Sequence, residues 1–448
     1  MQSLARKRLG LVAMIIVLIG AGAALFACAE SARLPLAAGI GPAPQLPPPD
    51  PRLLPTVNIA PAVGWAGDER PTAAPGLVVR AFAIGLDHPR NLLVLPNGDV
   101  LVAEANAPPR PQDMPGARGF VMRRVMAVAG AGVPSANRIT LLRDADGDGV
   151  AEERFVFLEG LNSPYGMALI GDSLFIAETD GIRRFAYTSG QTRISDAGSL
   201  LTPLPAGPIN HHWTKNLVAS PDGRFLYASI GSNSNVAENG LEAEEGRAQI
   251  WQVDARSGAH RTFATGLRNP NGLAFAPGAT PTLWTAVNER DEIGSDLVPD
   301  YMTSVRDGGF YGWPFSYFGQ NLDTRAQPPN PALVASAIVP DYALGAHTAS
   351  LGLAISAASG LPAPFTEGAF IGQHGSWNRR PASGYRVIFV RFEAGRPVGA
   401  PIDVLTGFLD ARGNARGRPV GVTPDGRGGL LVADDVGNII WRVGAAGR

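Results

Sequence analysis

Lysine and cysteine are almost absent from this chain of 448 residues. The only lysines are Lys7 and Lys215, whereas arginine supplies the other fixed positive charges. The only cysteine is Cys28, so no disulfide can form within the chain and no Cys-x-x-Cys-His haem attachment motif is present. If the chain carries out redox chemistry, an external electron acceptor such as a cytochrome or a quinone has to take the electrons.

Excess charge of either sign is also missing. The formal net charge of −1 at pH 7 gives no indication of a nucleic-acid surface or a polybasic membrane patch. No long stretch of helical period follows residue 29. By contrast, the 55 glycines and 39 prolines exceed average usage without a collagen period, which indicates many turns and therefore many short strands.

Residues 1–29 have the pattern of an export signal. Basic residues at 6–8 precede a stretch of apolar residues and glycine over 9–27, and small residues follow. Three outcomes stay open: cleavage at the Ala-x-Ala pattern around Cys28, lipidation of Cys28 at a degenerate lipobox, or retention of the apolar stretch as a membrane anchor. Each places the remainder of the chain in a periplasmic or other extracytoplasmic compartment, and two of the three attach it to a membrane.

Residues 30–75 are rich in proline and alanine, as in GPAPQLPPPDPRLLP. No alternation of apolar and polar residues survives there, so the composition predicts an extended tether. The folded domain is therefore expected to occupy residues 76–448.

From residue 76 a hairpin pattern recurs six times. Each copy has a turn with proline or glycine, an apolar strand, a tight turn and a second apolar strand. The copies begin at His88, Ser163, Asn216, Asn269, Leu351 and Arg418. Spacings of roughly 50 to 80 residues leave room for about four strands per copy. The sequence predicts an all-β fold, a six-bladed β-propeller of four-stranded antiparallel blades, with a pair of β-sandwiches as the alternative.

Four of the six histidines, His211, His212, His347 and His374, lie in loops that flank these hairpins. A lone histidine is usually structural, but four at corresponding places in different blades indicate a role for at least one of them. His212 stands five residues before an apolar strand in NHHWTKNLVASPDG, where a neutral imidazole can act as a general base.

Arginines and asparagines cluster at the starts of two other copies. Arg268, Asn269 and Asn271 surround a proline in GLRNPNGLAF. Arg416 and Arg418 are two residues apart in ARGRPVGV, a spacing that on a strand puts both guanidinium groups on one face. Such a pair suits the clamping of carboxylates, and a solvated sheet edge is the alternative.

Two acidic segments are candidate calcium sites. Residues 288–314 combine carboxylates with a Gly-Gly turn, and oxygen-rich loops of this kind suit calcium. The segment DADGDGVAEE gives Asp144, Asp146 and Asp148 the spacing that opens an EF-hand loop, but the twelfth position is Phe155 rather than glutamate. A structural calcium and an acidic turn both stay open for this second segment.

Residues 76–445 resemble the glucose/sorbosone dehydrogenase family. The strongest matches are RNPNGLAF, the GG-x-YGWP turn and the Arg-x-Arg pair before a Pro-Asp-Gly hairpin, in the order in which the family has them. NERDEIGSDLVPDY and GQHGSWNR look closest to the sorbosone dehydrogenase branch. The resemblance implies a six-bladed propeller that binds pyrroloquinoline quinone (PQQ) and calcium, and that oxidises an aldose or a related sugar.

The resemblance also implies roles for individual residues. His212 would take the hydroxyl proton of the sugar, and Arg268 would lie over the reactive quinone carbonyl. Cofactor contacts would come from Asn269, Asn271, Thr348, Arg416 and Arg418. Asp300 would bind calcium with its carboxylate and Tyr311 with its backbone carbonyl.

One position departs from the family. The lysine that contacts the quinone in glucose-oxidising members falls near His374 here, so either His374 takes its place as a cofactor contact or the cofactor is held differently. Two other functions on the same fold therefore stay open. One is a calcium-dependent lactonase or esterase, and the other is a non-catalytic propeller that binds a ligand or partner through the same loops.

Overall fold

The computed structural model describes residues 30–52, 56–109, 124 and 126–447. Over these residues six sheets form a closed ring, so the six-bladed β-propeller is confirmed. The predicted export leader, including Cys28, lies outside the described residues.

Each blade is a mainly antiparallel sheet whose innermost strand faces the central channel. Blade 1 consists of Pro89–Val94, Val100–Glu104, Arg138–Arg143 and Glu153–Leu158. Blade 2 consists of Gly166–Ile170, Ser173–Ala177, Gly181–Ala186 and Ser199–Pro203. Blade 3 consists of Leu217–Ala219, Phe225–Ile230, Gln249–Asp254, His260–Thr265 and the short parallel strand Gly309–Phe310.

The other three blades contain strands from the N-terminal part of the chain. Blade 4 consists of Pro270–Ala276, Thr282–Val287, Pro299–Ser304, Tyr342–Ala346 and Ile40–Gly41. Blade 5 consists of Ser350–Ile355, Gly368–Gln373, Arg386–Glu393, Ile402–Thr406 and Thr72–Ala73, with Arg396–Pro397 at its side. Blade 6 consists of Pro419–Pro424, Gly429–Asp434, Ile439–Ala445 and Leu77–Ile84, and the last of these strands closes the ring.

The remaining elements are short. A two-stranded ribbon pairs Ser316–Tyr317 with Asn321–Leu322. Helical elements with defined bounds are the 3₁₀ turns Leu36–Gly39, Leu241–Glu244 and Ser356–Ala358 and the α-helix Pro331–Ala335, and residues 124 and 126–128 are helical as well. Among the described residues, no helix is long and apolar enough to cross a membrane.

The first two strands of every blade are the hairpins that the sequence predicts. The tight turns of blades 1, 2, 3 and 6 place glycine at positive φ, as at Gly98 (φ 91°) and Gly223 (φ 68°), a conformation that residues with a Cβ atom rarely adopt. The apolar faces of neighbouring blades then pack on each other. Leu101 and Phe157 of blade 1, for example, share one buried cluster with Ile176 and Phe185 of blade 2.

The ring has two distinct faces. In each blade the innermost strand begins where the antiparallel second strand ends, so these two ends lie on the same side. Hydrogen bonds bring three of these strand starts together: Asn91 Nδ2 donates to Asn216 Oδ1 at 3.0 Å, and Asn216 Nδ2 donates to the carbonyl of Asn271 at 2.7 Å. We call this side the upper face, and the tight hairpin turns lie on the lower face.

Glycines let the innermost strands approach one another closely around the channel. A Cβ atom at Gly272 would lie 2.6 Å from the backbone nitrogen of Leu353, and one at Gly352 would collide with the carbonyl oxygen of Val420. Gly272 belongs to the recurring hairpin copies, so part of the recurrence reflects this packing of backbone against backbone.

We expect Gly352→Ala to lower the free energy of unfolding by about 1–3 kcal/mol, because the clash is with backbone that can move only by separating blades 5 and 6. Urea denaturation measures the change. Gly278→Ala is the matched control, since the nearest atom to its Cβ is 3.5 Å away and its φ is not positive. Equal stability of the two variants would show that the innermost strands adjust to each other without cost.

The segment 30–75, predicted to be an extended tether, packs on the propeller instead. Its residues Ile40–Gly41 and Thr72–Ala73 pair with the outer edges of blades 4 and 5. Trp65 packs edge-on against Phe408 and Trp441, with ring centroids 5.6 and 5.4 Å apart. The prediction of a tether was wrong because a few apolar residues among the prolines are enough to anchor an extended chain on exposed strand edges.

Candidate active site

Polar side chains from four blades meet where the innermost strands begin on the upper face. Tyr165 donates its hydroxyl proton to Asn271 Oδ1 at 2.6 Å, and Asn271 Nδ2 donates to Thr214 Oγ1 at 3.1 Å. Burial raises the pKa of Tyr165 to about 12, so the phenol stays protonated. Asn271, predicted to contact a cofactor, thus uses both ends of its amide to join blades 2, 3 and 4.

His212 lies on this face with a defined tautomer. Its Nδ1 is 2.9 Å from the carbonyl of Ser232 and 3.0 Å from Ser232 Oγ. The hydroxyl proton of Ser232 is already donated to the carbonyl of Ser234 at 2.7 Å, so both neighbours of Nδ1 are acceptors. Nδ1 must therefore carry the proton, and Nε2 carries the lone pair of the neutral ring, as a general base requires.

Asn269 lies beside His212. A Cβ atom added at Gly231 would be 2.5 Å from both His212 Cβ and Asn269 Oδ1, so the glycine leaves room for the two side chains. Within the described residues Asn269 Oδ1 is buried without a hydrogen-bond partner. An unmet buried acceptor next to a candidate base is consistent with the predicted role of Asn269 in ligand binding.

Lys215 supports the loop that carries His212. Its Nζ is completely buried and donates to the carbonyls of His212 and Trp213, both at 3.3 Å, and to Asn210 Oδ1 at 3.4 Å. Burial lowers the pKa of Lys215 well below its usual range. The sole lysine after the leader therefore fixes backbone and does not face the channel.

Arg268 lies under the upper face with its donors engaged by the protein. Nε donates to the carbonyl of Asn235 at 3.1 Å and Nη2 to Asn235 Oδ1 at 3.0 Å. Nη1 donates to the carbonyl of Glu289 at 2.7 Å and to both oxygens of Asn288. The residue thus ties two loops of blades 3 and 4 together, and its predicted contact with a quinone carbonyl stays a prediction.

Asp300 and Thr348 form one buried hydrogen-bonded unit. The carboxylate accepts from the backbone nitrogens of Glu289 at 2.9 Å and Ser350 at 2.7 Å, and from Thr348 Oγ1 at 3.0 Å. Burial raises the pKa of Asp300 to about 6. The Thr348 hydroxyl therefore points to Asp300, although the sequence predicts that it faces the cofactor.

The calcium role of the Tyr311 backbone carbonyl stays a prediction. The Tyr311 hydroxyl donates to the carbonyl of Ser304 at 2.7 Å, and its backbone nitrogen donates to the carbonyl of Thr265 at 2.9 Å. Glu289 lies next to Asp300: its backbone nitrogen bonds Asp300, and its Oε1 is buried without a hydrogen-bond partner among the described residues. Burial raises the pKa of Glu289 to about 7, as expected for two acids that share one apolar site.

The two arginines of the Arg-x-Arg pair diverge. Both precede the strand, which begins at Pro419, so the alternation that would put them on one face does not apply. Arg416 pairs with Glu69 at 3.1 Å and is partly exposed. Arg418 is 4% exposed and lies over the Tyr385 ring at 4.9 Å. The expected fork of two guanidinium groups is therefore absent from this position.

Arg418 has only weak partners. Nη1 is 3.5 Å from the carbonyl of His374 and Nη2 is 3.3 Å from that of Ala60, while Nε is buried without a partner. No carboxylate of the described residues lies within ion-pairing distance of its guanidinium. Because a buried charge is normally compensated, this group fits an anionic ligand.

His374 contacts a buried carboxylate that the sequence reasoning missed. Its Nε2 is 2.9 and 3.1 Å from the two oxygens of Asp435, which is 2% exposed. Arg90 Nη1 donates a short hydrogen bond to the same carboxylate, and His88 Nε2 lies 3.5 Å from it. Three basic side chains of blades 1 and 5 thus converge on one acid of blade 6.

His347 is the other histidine with an acidic partner. Its two ring nitrogens lie 3.1 Å from Asp291 Oδ1 and 2.9 Å from the carbonyl of Gly294, so both have to be protonated. Burial alone would lower the pKa of His347, but Asp291 raises it above its usual range. This imidazolium is a structural cation.

His211 packs edge-on against His212 with ring centroids 4.7 Å apart.

The EF-hand-like segment is a turn on the lower face, between the third and fourth strands of blade 1. Carboxylate oxygens of Asp144, Asp146, Asp148 and Glu152 lie within 4.8 Å of one another. Asp144 also pairs with Arg427 at 2.9 Å. The cluster is far from the polar residues of the upper face and has no part in their chemistry.

The missed residues carry a signal in the sequence. Glu104, Glu178, Glu289 and Asp435 all come at the end of a second strand or within two residues after it, and all are at most 4% exposed. The recurring hairpin copies contain these acids as part of their pattern, so a repeat-by-repeat comparison could have placed them on the upper face.

Solved structures with the same fold support this architecture. The holo form of the pyranose dehydrogenase PQQ domain from Coprinopsis cinerea has a TM-score of 0.66 and 20% identity, covering 86% of this chain and 100% of that chain. A calcium structure of a carbohydrate-active enzyme of family AA12 from Trichoderma reesei has a TM-score of 0.67 and 18% identity, covering 87% and 99%. The PQQ-bound aldose sugar dehydrogenase of Streptomyces coelicolor has a TM-score of 0.51 and 16% identity, covering 83% and 99%.

These structures confirm the fold that the predicted resemblance implies, and none of them singles out the sorbosone branch. An uncharacterized protein of Borreliella burgdorferi is 27% identical over 246 residues, which is 54% of this chain. The chain spans 62% of the length of that relative. Residues 331–445 match the family described as TrAA12-like. Residues 86–373 match DUF7133, a domain of unknown function, over more than half of the chain, and the protein belongs to that family.

Proposed function

We propose that this protein is a PQQ-dependent oxidoreductase that oxidises an aldose or a related sugar. One observation carries the proposal. The upper face carries His212, whose Nδ1 faces two acceptors so that Nε2 is its basic nitrogen, and Arg418, a buried guanidinium without a carboxylate partner among the described residues. The fold is shared with a pyranose dehydrogenase PQQ domain and a PQQ-bound aldose sugar dehydrogenase.

The residues of the upper face fit a cofactor that bears carboxylates. Arg418 would hold a carboxylate, because its charge is buried and its present bonds to carbonyls are long. Asn269 Oδ1 would accept a hydrogen bond from the bound group, since it has no partner among the described residues. Arg416 is committed to Glu69 and does not belong to this set.

A calcium ion would be held by Asp300, as predicted, together with the neighbouring Glu289. The two acids are buried neighbours, and neither carboxylate has an ion-pair partner within 4.0 Å among the described residues. Glu289 Oε1 also has no hydrogen-bond partner there, as suits an oxygen that binds a cation. The proposed substrate class is an aldose or a related sugar, and sorbosone is one member of that class.

A PQQ molecule held by Arg418 and Asn269 would supply a two-electron sink for the hydride of the substrate carbon. His212 Nε2 takes the hydroxyl proton, and the Ser232 carbonyl holds the ring in the required tautomer. Arg268 fixes the loops on which Asn269 and Glu289 are carried. An external acceptor, a cytochrome or a quinone, then takes the electrons, and the predicted leader would deliver the protein outside the cytoplasm.

The experiment uses the full chain with PQQ, with and without calcium, and an artificial dye that is reduced during turnover of a panel of aldoses. We expect calcium-dependent turnover, and His212→Gln should lower kcat by about 10²–10⁴-fold because the general base is lost. His260→Gln is the matched control. His260 lies in the strand His260–Thr265 towards the outside of blade 3, where it stacks on Trp251 away from the candidate site. Failure to retain PQQ at any calcium concentration would contradict the proposal and favour a ligand-binding propeller.

A further inference from the structure

Asp435 has three basic side chains around its carboxylate, more than one negative charge requires. Arg90 donates to it directly, His374 Nε2 lies 2.9 Å away and His88 Nε2 lies 3.5 Å away. The carboxylate itself has a side-chain exposure of 1%. Its charge is balanced by Arg90 alone, so the two histidines are not required for neutralisation.

The contact with Asp435 decides the tautomer of His374. A carboxylate is only an acceptor, so the proton of the neutral ring must be on Nε2 and the lone pair on Nδ1. Burial lowers the pKa of His374, and the raising effect of Asp435 does not outweigh burial and the nearby Arg418 and Arg90, so the ring is neutral near pH 7. At this position the protein presents an acceptor and not a cation.

The backbone of His374 and its carboxylate partner are both held in place. The backbone nitrogen of His374 donates to the carbonyl of Ala349 at 2.9 Å, and its carbonyl lies 3.5 Å from Arg418 Nη1. Asp435 is in turn held by Arg90, whose guanidinium lies 6.0 Å from the Trp213 ring. Since Trp213 follows His212 in the chain, Arg90 links the loop of the candidate base to the His374–Asp435 pair.

The His374 side chain still reaches the surface of the upper face. It is 22% exposed, whereas its partner Asp435 is almost completely buried. An imidazole that is held by a buried carboxylate on one nitrogen and exposed at its other edge offers a directed hydrogen-bond acceptor to a ligand.

We propose that His374 binds a hydroxyl group of the sugar through Nδ1, and that Asp435 is the positioning residue that fixes this nitrogen as an acceptor. The inference rests on the proposed function for the identity of the ligand. It replaces the expectation that His374 contacts the cofactor, because a neutral acceptor does not attract a carboxylate or a quinone oxygen. The positive charge of this part of the face comes from Arg90 and Arg418.

The first measurement does not depend on activity. The full chain labelled with ¹⁵N-histidine has six histidines, and His374→Gln identifies the signals of His374 by their absence. At pH 7.5 the ¹⁵N shifts should report a neutral ring protonated at Nε2, whereas those of His212 should report protonation at Nδ1. A charged His374, or one protonated at Nδ1, would overturn the proposal. Addition of PQQ should leave His374 neutral; conversion to an imidazolium would instead assign it to a cofactor carboxylate.

The second measurement locates the hydroxyl. Monodeoxy analogues of the best-oxidised aldose are compared with the parent sugar in the wild type and in His374→Phe. In the wild type one analogue should lose at least about tenfold in kcat/KM, mainly through KM, and in the variant that analogue and the parent should be equal. Identical ratios for all analogues in both proteins would overturn the proposal.

The two ideas fail in different ways. If no aldose is oxidised, the proposed function fails. Binding of a sugar hydroxyl by His374 is then tested by adding D-glucose and recording the ¹⁵N-histidine spectrum. A shift of the His374 Nδ1 signal by glucose that is absent for His260 would then support hydroxyl binding in a non-catalytic propeller. A spectrum that glucose leaves unchanged would overturn it.

Discussion

Asp435→Asn should lower the free energy of unfolding by about 3–5 kcal/mol at neutral pH. The substitution keeps the shape of the side chain but leaves the Arg90 guanidinium, with 11% side-chain exposure, without its counter-ion. The new amide also turns donors toward His374 and Arg90, which have only donors to offer. A buried charge without compensation is among the most costly defects that a single substitution can create.

The stability difference between wild type and Asp435→Asn should depend on pH in a definite direction. Burial opposes ionisation of Asp435, but His374, His88 and Arg90 hold its pKa far below the usual range. Its contribution to stability is therefore fully present above the unfolded-state pKa of about 3.9 and is lost as the pH falls below that value. Urea denaturation of wild type and variant from pH 7 down to pH 3 should show a stability difference that persists to about pH 4 and begins to shrink below it.

The matched control is Asp403→Asn, whose carboxylate pairs with Arg386 at 2.9 Å but is 49% exposed. Solvent replaces that interaction, so its loss should change stability far less. An Asp435→Asn protein as stable as the control at pH 7 would mean that Arg90 finds another partner, and the description of Asp435 as a shared counter-ion would be wrong.

Arg268→Met should cost a similar amount, about 3–5 kcal/mol, although it removes a charge and adds an apolar side chain. The guanidinium, 2% exposed, donates to Asn235, Asn288 and Glu289, and the substitution strands their oxygens in a buried place. Asp291 also loses a cation 3.7 Å away. Unmet buried acceptors keep their full desolvation cost.

Thermal and urea unfolding of the variant measure this effect, with Arg193→Met as the control because Arg193 and its partner Glu159 are both more than 60% exposed. The comparison also separates two roles. If Arg268 acts mainly on the cofactor, the variant should keep wild-type stability and lose only turnover. A large loss of stability places its main role in holding the loops of blades 3 and 4.

The hairpins were predictable because each is specified locally. An Asp-Gly or Asn-Gly turn requires a positive φ, and the flanking apolar strands are short and contiguous in sequence, as around Gly98 and Gly223. The order of such copies then limits the architecture to a ring of blades. None of this requires knowledge of contacts between distant residues.

The site was only partly predictable, because its contacts are long-range. His212, Asn269 and Arg418 were found from their places before strands, and the structure brings all three to the upper face. The partner of His374 is a residue 61 positions away, and periodicity contains no information about such a pair. Arg416 was misjudged because a spacing of two has meaning only inside a strand.

The strand Leu77–Ile84 has a consequence for how the molecule folds. Leu77 pairs with Ala445, so blade 6 joins two segments that are separated by almost the entire propeller sequence. Closing so long a loop costs about 5 kcal/mol of chain entropy, whereas the other blades are built mainly from neighbouring strands. Because this pairing has a high contact order, we expect blade 6 to close late in folding and to limit its rate. The same seam is where the closed ring should open first, and hydrogen exchange of its amides would record that opening.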